Sequence, residues 1–448
     1  MAEPINVLLI VMDGVRADHL SCYGYERETT PFLDELARDG VRFSNMIATA
    51  PSTLASHAAL FTGLHSVTHG ATSEQPILAK RHPVLGEALK AAGYRTAAFC
   101  TNPWISPETG FGRAFDAFVT QRYDSRLATR AVSFGRRTAD RLLRRADSGA
   151  RRTNLGLARW LSSSQRPFFA YVHYNETHFP VQPPPQFMRR FLSKRIDNEH
   201  AEQVNTKSTQ WMLPPATISD EDRTILRDLY DGTLAYIDQR VSEVASLLRA
   251  NGLWDRTLIV LTADHGEYLG ERGLVGHAVG LGEGLLRVPL LLRCPAVIPP
   301  GFVIDELAQS TDVAPTICTL LGLSAATFAH GRALIAAGRA TPGPGFAIAE
   351  RFRSDSLASE QFSAQVERAS YDVRIKAIRT RREKFVWRSD EQNEFYDLSA
   401  DPGESENLIE RDTVRADLLR RQLFDWLADT DSFEGPEDEA AATAAGAI

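Results

Sequence analysis

The chain has 448 residues, 43% hydrophobic and 24% charged, enough to bury a large core and to form one big domain with a smaller one beside it. A formal charge of −7 argues against nucleic acid as the main partner. Four scattered cysteines (Cys22, Cys100, Cys294, Cys318) without a CxxC pair argue against a disulfide framework and fit a reducing, cytoplasmic setting.

The first element is NVLLIVM, residues 6 to 12, an apolar run that stops at Asp13 and Gly14. With no basic segment ahead of it and an acid closing it, it reads as a sheet strand and not as a signal peptide. No later segment approaches the roughly 18 apolar residues of a membrane span. Thr30-Pro31 opens a helix with Phe32, Leu33 and Leu36 on its apolar face and Gly40 as its stop. A strand over 41 to 48 leads into TAPSTLASHAALFTGLHSVTHG, residues 49 to 70. There Ser52, Thr53 and Ser56 sit at the start of an apolar helical stretch, as plain caps or as groups that meet an anion. A hydroxyl beside a metal has a third use, because coordination makes its alkoxide available at neutral pH.

A helix over 83 to 94 and a strand over 95 to 100 follow. Residues 122 to 166 are arginine-rich, with ten arginines between Arg122 and Arg152, and read as a solvated helical insertion, or alternatively as a cap over the site. PFFAYVH, 167 to 173, is a buried strand that puts His173 and then His178 at its carboxyl end. Residues 180 to 215 are proline-rich and aperiodic, a lid or specificity loop. A long amphipathic helix runs from Ser219 to Gly252 and carries Asp231 and Asp238.

TLIVLTADHGEYLGERGLVGH, 257 to 277, repeats the opening pattern: a buried strand ends at Asp264, His265 and Gly266. The loop after it, with glycines at 270, 273 and 276, can return a second imidazole, His277. In an α/β sheet, ligands sit outside the carboxyl ends of the strands. Asp13 and Asp264 therefore deliver oxygen ligands to one rim, as a metal-dependent hydrolase requires. A strand over 287 to 293 and a helix over 311 to 322 complete a catalytic domain of residues 1 to 340. Residues 341 to 430 read as a subdomain with a small antiparallel sheet and a helix over 411 to 429, and the acidic, alanine-rich 431 to 448 as a disordered tail.

Taken together, NVLLIVMDGVRAD, SHAALFTGL, LTADHGE, RVPL, DVAPT, EFYDL and DPGE resemble, in order, motifs of the sulfatase family within the alkaline-phosphatase superfamily. The resemblance implies a large, mostly parallel sheet flanked by helices, with a smaller C-terminal α+β part. It also implies a divalent metal, with Asp13, Thr53, Asp264 and His265 as its ligands. Where sulfatases carry a cysteine or serine oxidised to formylglycine in C/S-x-P-S-R, this chain has Thr53-Leu-Ala-Ser56-His57, and threonine cannot form that aldehyde. Gly14 stands where the family has a second aspartate, and the sulfate-gripping Gly-Lys-Trp-His falls on Cys100-Thr101-Asn102-Pro103. The implied activity is hydrolysis of phosphate mono- or diesters, or phosphonate esters, by a Thr53 nucleophile with His178 or His277 as acid. His57, His173 and Asn102 are expected to bind a small anionic ester. Manganese or zinc is expected ahead of calcium, since imidazole suits softer ions. The alternatives are a sulfatase working without formylglycine, a phosphoryl-group transferase, and a binding protein without turnover.

Overall fold

The computed structural model describes residues 4–72, 75–120, 147–162, 167–212, 217–352 and 373–430. A mixed sheet is built on strand β1 (Asn6–Met12). The other strands of its main path are β2 (Val41–Ile47), β3 (Arg95–Cys100), β4 (Ala117–Thr120), β5 (Phe168–Tyr174), β6 (Thr257–Ala263), β7 (Leu290–Arg293) and β8 (Phe302–Gln309), with the two-residue strand Arg287–Val288 paired to β2 off that path. Their order is β8-β2-β7-β6-β1-β5-β3-β4. Only β7 runs against its neighbours β2 and β6 along this path. All seven residues of β1, β5 and β6 are buried, as expected of strands covered on both faces. Leu8 and Ile10 share a small apolar cavity with Val241 and Val244. On the other side Phe61 meets Tyr171 edge-on, with ring centroids 5.3 Å apart.

Register places the site. Met12 lies opposite both Ala263 and Tyr174, so Asp13 and Asp264 leave the sheet side by side at its carboxyl edge.

The helices α1 (Pro31–Arg38) and α2 (Thr53–Thr62) follow the expected starts. Gly40 has a different role from the one expected: its backbone is not left-handed, and a Cβ there would come within 2.2 Å of the Leu292 carbonyl oxygen, so it permits close approach. The aperiodic reading of 180 to 215 is overturned over two stretches, which form helices Pro185–Phe191 and Asn198–Lys207. The second is started by Asp197, whose side chain accepts the His200 amide. The strand expected over 287 to 293 breaks at Pro289 into Arg287–Val288 and β7, because proline has no amide to give to a ladder. Strands β4 and β8 were not anticipated.

Of the arginine-rich stretch, Ala150–Leu161 is helical, with Thr153, Leu157 and Leu161 buried and Arg151, Arg152 and Arg159 exposed. The rest of that stretch up to residue 146, and the tail from 431, lie outside the described residues. The C-terminal part is as expected. Strands Ala347–Arg351, Ile375–Arg379, Glu383–Arg388 and Glu394–Asp397 form an antiparallel meander. Its face is covered by helix Thr413–Asp429 through Ile378, Phe385, Phe395, Leu423 and Phe424. Among the described residues no helix is long and apolar enough to cross a membrane.

Candidate active site at the sheet rim

Asp13, Asp264 and His265 converge, with one ligand atom from each lying within 4.8 Å of the others, and all three are fully buried. His265 Nδ1 lies 2.9 Å from the Gly266 carbonyl oxygen, an acceptor only, so Nδ1 carries the proton and Nε2 presents its lone pair. That lone pair faces Asp13 Oδ1 and Asp264 Oδ2, each at 3.6 Å, and Thr53 Oγ1 at 3.4 Å. Neither of those two carboxylate oxygens has a hydrogen-bond donor. Four electron-rich atoms turned towards one another in a dry site call for a positive charge. The donor set of two carboxylates, one imidazole and one hydroxyl fits a divalent cation.

The remaining oxygens are fixed from behind. Asp264 Oδ1 accepts the amides of Gly14 (3.2 Å) and His265 (2.9 Å), and Asn102 Nδ2 donates to Asp13 Oδ2 at 2.8 Å. Burial without a counter-charge lifts the Asp13 carboxyl to about 6, helped by Asp264, and lifts that of Asp264 to about 7. Burial pushes His265 down to about 4, with His277 adding to it.

Thr53 is the first residue of α2, whose ten residues are all buried. Ser52 makes no side-chain cap, and Ser56 donates to the Asp264 carbonyl at 2.5 Å, so plain capping does not account for these hydroxyls. His57, one turn on, lies 2.7 Å through Nδ1 from the Thr53 carbonyl and 3.5 Å from Asp264 Oδ2. His173 Nε2 lies 3.6 Å from Asp13 Oδ2. His57 and His173 are wholly enclosed behind the two acids, with ring centroids 5.2 Å apart.

A second group opens towards solvent. His178, Glu267 and His277 also bring ligand atoms within 4.8 Å of one another. His277 lies against His265 with its ring tilted by 38° and 4.2 Å between centroids, and meets His178 edge-on at 5.0 Å, so the two groups adjoin. Glu267 was passed over in the sequence, although it directly follows the Asp-His-Gly triplet. It fills the room beside Gly14: a Cβ on Gly14 (φ +72°) would come 2.9 Å from Glu267 Cγ and 3.1 Å from Oε1. The carboxylate missing at position 14 is thus met in space by one from position 267. Asp231 and Asp238 are structural. Asp231 binds His19, Tyr25 and Arg27, while Asp238 accepts the Phe32 and Leu33 amides at the start of α1.

A family model described as Sulfatase matches residues 5–323. The chain belongs to the sulfatase family. A second model, described as the N-sulphoglucosamine sulphohydrolase C-terminal region, matches residues 270–430. The chain is 26% identical to the multifunctional alkaline phosphatase superfamily protein PehA of Trinickia caryophylli, with 93% of each chain covered. It is 22% identical to an arylsulfatase of Clostridium perfringens, with 94% of this chain and 93% of that one covered. Among solved structures, the phosphonate monoester hydrolase of Agrobacterium radiobacter shares the fold at a TM-score of 0.73 and 22% identity, covering 95% of this chain and 96% of that one. The chain is therefore a hydrolase of the sulfatase and alkaline-phosphatase superfamily, whose members depend on metal.

Proposed function

We propose that this sulfatase-family chain hydrolyses phosphate mono- or diesters, or phosphonate esters, with Thr53 as nucleophile. The observation that carries this is the position of Thr53 Oγ1, at a helix start and 3.4 Å from the free lone pair of His265 between two orphaned carboxylate oxygens. Asp13, Thr53, Asp264 and His265 would hold the divalent cation, manganese or zinc ahead of calcium. A cation bound there would lower the hydroxyl pKa and offset charge on the transferring group. Thr53 Oγ1 forms the new bond to phosphorus as the bond to the leaving oxygen breaks, and amides at the start of α2 receive the equatorial oxygens. Water then cleaves the phosphothreonine.

The leaving oxygen needs a proton. His178 supplies it better than His277: burial lowers both, but Asp13 and Glu267 outweigh that at His178 and raise it, whereas His277 is pushed down to about 3. His57, His173 and Asn102 support Asp13, Asp264 and Thr53 from behind in this reading, in place of the substrate contacts expected of them. The relatives named for phosphonate monoester hydrolysis and for several activities on this fold are consistent with phosphorus chemistry.

The test is a panel of p-nitrophenyl phosphate, phosphodiester, phosphonate and sulfate with the protein reconstituted in manganese, zinc or calcium. Faster turnover of the phosphorus esters is expected. Preference for the sulfate would replace this reading with a sulfatase that works without formylglycine.

A further inference from the structure

The group at the mouth of the site is built like the first. Glu267 is fully buried, and its Oε2 has no hydrogen-bond partner. Its Oε1 lies 3.0 Å from His277 Nδ1. His178 engages the Phe179 carbonyl through Nδ1 at 2.8 Å, which makes that nitrogen the proton carrier and leaves Nε2 free. Two imidazoles and a carboxylate within 4.8 Å of one another form the three-protein-ligand set of an open metal site, in which the remaining position goes to water or substrate. His178 and His277 keep some solvent access, so an ion can enter, whereas the first group is closed off. Gly14 is what lets Glu267 reach the rim, since any side chain there would collide with its Cγ.

We infer that His178, Glu267 and His277 form a second divalent-cation site adjoining the first. The ligand set favours zinc or manganese over calcium. The inference rests on the reading above for which side of the pocket the leaving group occupies, and it changes that side. A cation held there would take the place of a proton on His178 Nε2 and would supply the charge that offsets the leaving oxygen.

The experiment is metal content per chain by elemental analysis of full-length protein after dialysis against zinc or manganese, paired with electron paramagnetic resonance of the manganese form. Wild type should hold a second equivalent and give an exchange-coupled spectrum. Glu267→Gln should lose about half the metal and give an uncoupled six-line signal. His178→Gln, on the opposite wall of the group, should do the same and decides the matter if the first variant does not fold. A single equivalent in wild type, or unchanged content in both variants, overturns the inference. Thr53→Ala should lose turnover yet keep the second equivalent, so a failure of the phosphoester reading leaves this result standing on its own.

Discussion

Two regions of this chain bury clusters of charge, and they resolve the cost in opposite ways. At the sheet rim Asp13, Asp264 and Glu267 lie in a dry pocket with Asp13 Oδ1, Asp264 Oδ2 and Glu267 Oε2 unpartnered, and burial lifts their carboxyls to about 6, 7 and 7. Where the C-terminal meander meets the main domain, Glu283 is largely enclosed, its side chain 11% exposed, but has Arg379 at 3.0 Å and Lys384 at 3.3 Å, and its carboxyl falls to about 2 despite desolvation. Lys384 also pairs with Glu404 and donates to the Leu281 carbonyl at 2.8 Å. The C-terminal cluster is complete within the chain and holds the two parts together; the rim has no such partner among the described residues and, in the reading proposed above, a cation completes it. A buried acid left unpaired by its own fold is thus the mark that separates a ligand site from structural ion pairing.

The largest expected effect breaks the rim alone. Thr53→Ala should cut turnover of the best phosphorus ester by about 10⁴-fold or more, the scale seen when a nucleophile is removed. The melting temperature should hardly move, since the hydroxyl's approach to His265, at 3.4 Å, is long for a hydrogen bond. Near-normal kinetics would remove Thr53 from its role.

The converse breaks the other cluster. Lys384→Met should destabilise by about 3–5 kcal/mol, because the buried Glu404 and the largely enclosed Glu283 lose their shared cation. Denaturant melts check the loss, and activity of the folded fraction should persist. If catalysis fell more than stability, the two clusters would be one functional unit.

The sequence made the rim legible for a physical reason. Strands covered on both faces read as unbroken apolar runs, so an acid at the end of β1 and another at the end of β6 stand out, and register then forces them together. Glu267 did not stand out, because its partner Gly14 is 253 positions away and the clue is an empty volume, not a pattern. Strand β8 hid for another reason: at the sheet edge it exposes Phe302 and Val303 and carries Asp305 and Glu306, so its apolar period is broken. The helix at Pro185–Phe191 was masked by prolines, which fit first-turn positions as readily as loops; that at Asn198–Lys207 was masked by its polar sequence, in which Ala201 and Val204 are the buried apolar residues.

Acidity separates the clusters by sign. The rim acids are raised above their ordinary values of 3.8 to 4.5, so in metal-free protein their contribution to stability is present below about pH 4 and is lost as pH rises through 6 to 7. Glu283 is lowered, so its contribution is present above about 4.5 and is lost as pH falls towards 2. Melting of chelated protein should therefore drop between pH 5 and 7.5, and added zinc or manganese should reverse the drop by about 2–3 kcal/mol at a hundredfold excess over Kd. A chelated melting temperature that climbs over this range, in parallel with the metal-loaded form, would contradict the unpaired state of the rim.

The smallest effect tests whether burial, and not pairing as such, is what matters. Arg411 and Glu406 form an ion pair in the same C-terminal part as Lys384, but their side chains are 74% and 58% exposed. Water already solvates both charges, so the Coulomb gain is offset by desolvation and lost side-chain freedom. Glu406→Gln should change stability by less than about 0.5 kcal/mol. Because the same kind of contact is removed here and at Lys384, a ratio near unity between the two losses would mean that burial does not set the strength of these networks. A ratio of several-fold ties the stability of the C-terminal cluster, and by the same physics the cation demand of the rim, to exclusion of water.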